Sequence, residues 1–182
     1  AMALATMSRD LIEQGLGCHT ERGQLQGHES GQDHLAIYLH NGTEYLEAML
    51  GSFKARVAPF NVNYRYVAEE LHYLLTDSQA TAIVVHSQFT PTLAEVLPDL
   101  PRLRVILQVP DESGLPLLPG AVWYEDALAA ASPSRPAVQW SPDDLYILYT
   151  GGTTGMPKGV LWRNADANVE CFGGSTADTM DA

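Results

Sequence analysis

Short continuous apolar runs alternate with segments whose apolar residues recur at helical spacing. This alternation restricts the fold more than any other feature of the chain. His34–Leu39 (HLAIYL), Val57–Phe60, Ala80–Val85 (ATAIVV), Leu103–Val109 and Leu145–Tyr149 (LYILY) read as buried strands. Between them, Tyr45, Leu46, Met49, Leu50 and Phe53 mark one helical face, and Val67, Leu71, Leu74 and Leu75 mark a second. Asn41 with Glu44 three residues on has the form of a capping box. Thr90-Pro91 predicts a helix start with a hydroxyl cap and proline at the first position. Trp123–Ala131 predicts one more short helix. Strands alternating with helices imply βαβ units, hence an α/β fold with a mostly parallel sheet flanked by helices.

Two stretches interrupt the rhythm. Gly15–Gln32 is rich in Gly, Gln, His and Glu and reads as an exposed loop, and Ser132–Pro142 reads as a proline-rich connector. At 182 residues, with 46% apolar and 18% charged residues, the chain suits one globular unit. Its net charge of -12 argues against nucleic acid or an anionic membrane as a general partner, while leaving room for one local anion pocket. Cys18 and Cys171 are expected as free thiols, and the six histidines show no metal-ligand spacing. The expected location is cytoplasmic, since no apolar run approaches a membrane span and the start lacks the pattern of a signal peptide.

The most specific stretch is Tyr149–Val160, YTGGTTGMPKGV. Glycines let successive amides turn toward an anion, because positive φ costs them little. Thr150, Thr153 and Thr154 add hydroxyls, and Lys158 adds a mobile cation. A Walker A loop would need glycine before the lysine and a hydroxyl residue after it. Here Pro157 precedes Lys158 and Gly159 follows, and Val160–Trp162 continues as a strand. The expectation is a phosphate loop of another type, joining two strands.

This stretch resembles the signature loop of the adenylate-forming (AMP-binding) enzymes, the superfamily of acyl-CoA synthetases, luciferases and peptide-synthetase adenylation domains. Thr150, Gly152, Thr153, Thr154, Gly155, Pro157, Lys158 and Gly159 fit that signature, and Gly151 stands where serine is common. Upstream, HNGTEYLEAMLGSFKARVAPFNVNYRY is similar to a segment of the fatty-acyl-CoA synthetases. The resemblance implies part of the large N-terminal domain. Its family-like core is expected over 34–163, its phosphate loop over 150–159, a divergent start over 1–33 and a divergent tail over 164–182.

The resemblance also implies an activity: a carboxylic acid, fatty in this branch, is activated by ATP as an acyl-adenylate and passed to coenzyme A. Thr150, Gly151, Gly152, Thr153, Thr154, Gly155, Pro157, Lys158 and Gly159 would then hold the phosphates, with Lys158 balancing their charge. The stretch after Arg163 lacks the motif whose glutamate serves Mg2+ in the family. Mg2+ and coenzyme A sites and the small C-terminal domain are therefore expected to lie outside this chain. The 182 residues alone are expected to be inactive and to self-associate through uncovered core surface. The competing expectation is a non-catalytic nucleotide-binding or interaction module that keeps the fold.

Among other residues, Asn61, Asn63, Tyr64 and Arg65 read as a structural turn. Arg56 reads as exposed, and Asp143-Asp144 as a solvated turn.

Overall fold

The computed structural model describes residues 2–134, 136–150, 156–170 and 173. Among them, five strands form a parallel sheet: β1 (His34–Tyr38), β2 (Ala58–Asn61), β3 (Ala82–His86), β4 (Val105–Val109) and β5 (Val122–Trp123), in the spatial order β2-β1-β3-β4-β5. Every residue of β1 and of β4 is buried. That explains why they read as unbroken apolar runs: a parallel strand covered on both faces has no water-facing side to mark with polar residues.

Two apolar clusters occupy the two faces. Leu35, Ile37, Val84 and Leu107 point into one, against α1 (Met2–Glu13), α2 (Thr43–Lys54) and α5 (Tyr124–Ala130). Ala36, Tyr38, Ile83, Val85 and Ile106 point into the other, against α3 (Ala68–Asp77) and α4 (Thr90–Val96). The period-two alternation of side chains sorts neighbours such as Ala36 and Ile37 to opposite sides.

The chain then leaves the parallel sheet. β6 (Leu145–Thr150) and β7 (Lys158–Arg163) make a separate antiparallel pair, followed by α6 (Asn164–Glu170). Leu145 and Ile147 of β6 join the cluster on the α3 face, which seats this hairpin beside the edge strand β2.

Several local expectations are corrected. Helix α2 begins at Thr43 with Gly42 in the cap position and no side-chain cap bond. Glu44 is therefore its second residue rather than its third, too early for a capping box with Asn41, though its charge still suits the helix start. Thr90 does not cap α4. A 3₁₀ turn, Ser87–Phe89, runs straight into the helix, and the Thr90 hydroxyl donates to the Ser87 carbonyl at 2.7 Å. Pro91 consequently sits at the second helical position, where a missing N–H is still harmless. Trp123 belongs to β5, paired opposite Gln108, and α5 starts one residue later.

The largest correction concerns Arg56 and Asp144. Arg56 has a left-handed backbone (φ 57°), and its guanidinium is mostly buried against the Asp144 carboxylate, itself 4% exposed. The same guanidinium reaches Glu21 at 2.8 Å. The long polar loop, the α2–β2 turn and the start of β6 are thus held by one cation.

The turn after β2 is closed by its own hydrogen bonds. The Asn63 carboxamide accepts from the Arg65 amide at 3.1 Å, and the Tyr66 amide donates to the Asn63 carbonyl.

Candidate functional site

The hairpin β6–β7 presents the stretch that stood out in the sequence. Tyr149 pairs with Gly159 and Thr150 with Lys158, so the two ends of the segment lie side by side at the tip. Thr150, Lys158 and Gly159 are exposed there, and Pro157 is half-buried. Gly151, Gly152, Thr153, Thr154 and Gly155 lie outside the described residues. The strand that starts at Lys158 matches the expectation drawn from Val160–Trp162.

Three contacts seat this tip on the rest of the fold. The Tyr149 ring packs 5.8 Å from the ring of Phe60 on β2. Its hydroxyl donates to the Asp77 carboxylate at 2.8 Å. Just before the other strand, the Tyr73 hydroxyl donates to the Pro157 carbonyl at 3.1 Å. Burial, with the neighbouring Asp77 carboxylate, pushes the Tyr149 phenol far above its usual range, so it remains a donor at any physiological pH.

Gly159 has a reason to be glycine that the sequence did not disclose. A Cβ there would come within 2.9 Å of the Tyr149 ring, which lies across β7. The residue lets an aromatic anchor on one strand cross the backbone of the other.

A cavity of about 620 Å³ adjoins the stem of the hairpin. Ile147, Tyr149, Gly159 and Leu161 line one side, and Asp33, His34, Asp77 and Arg102 line the other. Through Tyr149 and Gly159 it reaches the base of the tip. Within it the His34 ring is fully engaged: Nδ1–H donates to the Ser78 carbonyl at 2.5 Å and Nε2 accepts from the Ser30 hydroxyl at 2.7 Å.

Among the described residues, no group of three or more His, Cys, Asp or Glu side chains comes together to hold a metal. Cys18 is a free thiol, while Cys171 lies outside the described residues. None of the described helices is long and apolar enough to cross a membrane.

The tip therefore sets Thr150 opposite Lys158 on a braced strand pair. Comparison with known proteins gives this arrangement a context. The chain is 65% identical over 164 residues to the medium-chain acyl-CoA ligase Mig of Mycobacterium avium, covering 90% of this chain and 30% of that protein. It is 44% identical over 142 residues to a 3-oxocholest-4-en-26-oate–CoA ligase of Rhodococcus rhodochrous, covering 78% of this chain and 25% of that one. The chain thus spans less than a third of the length of these curated relatives.

Two solved structures share the fold. Acetoacetyl-CoA synthetase from Streptomyces lividans superposes with a TM-score of 0.77 at 20% identity, covering 93% of this chain and 25% of that one. The anthranilate CoA ligase AuaEII, solved with anthranoyl-AMP, gives 0.75 at 20% identity, covering 90% and 28%. The profile of the AMP-binding enzyme family matches residues 24–180, which take in the parallel sheet and the whole hairpin, and the chain belongs to that family.

Proposed function

We propose that this chain is the phosphate-holding part of an AMP-forming acyl-CoA ligase acting on a medium- or long-chain fatty acid. One observation carries the reading: the antiparallel pairing of Tyr149 with Gly159 and of Thr150 with Lys158, which brings the two ends of the signature stretch side by side. The names of the 65% and 44% identical relatives support the ligase chemistry and the apolar acid.

In this reading the acid's carboxylate oxygen attacks the α-phosphorus of ATP, and the bond to the bridging oxygen breaks. Acyl-adenylate and pyrophosphate result. The sulfur of coenzyme A, its proton passing to solvent, then attacks the acyl carbon, and AMP leaves with the electron pair, giving the thioester.

The hairpin would act on the pyrophosphate end. Thr150, Thr153 and Thr154 donate hydroxyls, and Gly151, Gly152 and Gly155 present close amides. Pro157 narrows the backbone choices just before Lys158, whose ammonium meets the gathering negative charge. Gly159 keeps β7 clear of the Tyr149 ring. Mg2+ would arrive as a companion of the phosphates, an ion usually held by one or two carboxylates plus substrate phosphates, and the carboxylate that would serve it is expected outside this chain. When bound, the ion would neutralise part of the phosphate charge. Coenzyme A enters as the second substrate.

The test uses the chain completed with the remaining length of its Mycobacterium avium relative. Lys158→Ala should slow ATP–pyrophosphate exchange by about 100-fold, the cost of losing one positioned charge at developing negative charge. Fatty-acid binding should stay unchanged, because the acyl tail does not meet this lysine. Exchange at the unsubstituted rate in the alanine variant would remove the phosphate-loop role.

A further inference from the structure

We infer that Tyr73 and Asp77 of α3 are positioning residues for the phosphate loop, gripping its two ends from outside the loop itself. The inference rests on the phosphate-loop reading above and extends it to a helix about 80 residues upstream, whose contacts span 84 and 72 positions.

Tyr73 and Asp77 are four residues apart on α3, so they share one helix face. Each takes a different side of the hairpin, Asp77 on β6 and Tyr73 just before β7. Asp77 accepts from the hydroxyl of Tyr149, the residue immediately before Thr150. Tyr73 donates to the carbonyl of Pro157, the residue immediately before Lys158. The loop is thus bracketed by two bonds to a single rigid element, one turn apart.

Pairing within the hairpin cannot do this alone. The register Thr150↔Lys158 brings the loop ends together but leaves their place over the parallel sheet open. A two-stranded ribbon is marginal by itself and takes its position from what it packs on. Here β6 lies beside β2 through Phe60 and Tyr149, and α3 supplies the polar contacts.

Asp77 makes little sense for α3 itself. It is the last residue of the helix, where the exposed carbonyls disfavour a negative charge, and no basic residue occupies that last turn. Its carboxylate is accounted for by the Tyr149 hydroxyl. Gly159 completes the arrangement, because any side chain there would push the Tyr149 ring off Asp77.

The test uses the full 182-residue chain and two measurements. The first is hydrogen exchange of the amides of Tyr149, Thr150 and Lys158–Val160. The second is titration with inorganic triphosphate and Mg2+, followed by the Lys158 and Gly159 amide resonances. Tyr73→Phe and Asp77→Ala should each speed exchange at the tip and weaken triphosphate binding about fivefold, the loss expected for one hydrogen bond. Unchanged exchange in β1 and β3 shows that the fold is intact. Asp77→Asn keeps an acceptor for Tyr149 and should restore most of the binding, which a general packing defect would not. Lys158→Ala should abolish the triphosphate response without changing exchange at the tip stem.

Tip exchange that is the same in Tyr73→Phe and Asp77→Ala as in the unsubstituted chain overturns the grip. Triphosphate binding that fails in Lys158→Ala but is untouched in both α3 variants overturns the positioning role and leaves the phosphate reading standing. Silence toward triphosphate in every chain, the unsubstituted one included, overturns both.

Discussion

The Arg56 guanidinium donates to the Asp144 carboxylate at 2.8 Å across 88 positions of sequence, and both side chains are largely withdrawn from water. The contact fastens the turn before β2 to the residue that launches β6, and so ties the hairpin to the sheet. The nearby carboxylates of Glu21 and Asp144 hold the guanidinium firmly protonated. Removing one partner leaves the other charge buried alone, so Arg56→Ala should cost about 3 kcal/mol in urea unfolding. Because Arg56 holds a φ of 57°, Arg56→Gly should lose about 1 kcal/mol less than the alanine variant. Equal losses would show that the backbone strain is not expressed.

Gly51 on α2 sits where α1 crosses it. A Cβ there would lie 2.5 Å from Cγ of Met7, which is fully buried. The two helices approach this closely only because the position has no side chain. Gly51→Ala should destabilise the chain by about 1–3 kcal/mol despite its better helix propensity. A Met7→Ala background should recover part of that loss. A double-mutant cycle in urea measures the coupling, and strict additivity would count against the contact.

Gly159→Ala tests the same kind of argument at the candidate site. The added methyl meets the Tyr149 ring, which Asp77 and Phe60 hold in place. A loss of about 1–3 kcal/mol is expected from the forced shift. In a Tyr149→Ala background the penalty should nearly vanish. If it persists there, the glycine answers to something other than the ring.

His34 should make stability depend on pH. Burial lowers its imidazole below the ordinary value of 6.5, outweighing the Ser78 carbonyl bond that favours the charged form. The neutral ring already satisfies both nitrogens, donating to Ser78 and accepting from Ser30. The unfolded chain therefore takes up a proton that the folded chain resists. Stability from this group is complete above about pH 6.5 and is lost as pH falls through the lowered folded value. His34→Gln should flatten the stability profile below pH 6.5. His86, lowered chiefly by burial as well, should retain a residual slope. Denaturant midpoints measured from pH 5 to pH 8 decide it, and an unchanged profile in the glutamine variant would reject the assignment.

Much of the architecture was legible in the chain because it depends on near neighbours. Unbroken apolar runs such as Leu35–Leu39 mark doubly covered strands, and Leu71, Leu74 and Leu75 mark the buried side of α3. The apolar residues on either side of the glycine- and threonine-rich stretch announced the two strands β6 and β7. Residues a few positions apart share a local geometry, so their spacing carries that information directly. Tertiary structure alone decided the rest. Asp144 read as a solvated turn because its partner stands 88 positions away, and nothing in its own surroundings signals a buried charge. β5 is only two residues long and exists because β4 offers it an edge. Tyr73 and Asp77 look like ordinary helix residues until the hairpin folds back onto them. Period and composition encode which face of an element is apolar. Which polar group a distant residue will meet is settled only when the elements pack, because a hydrogen bond depends on positions in space rather than on separation along the chain.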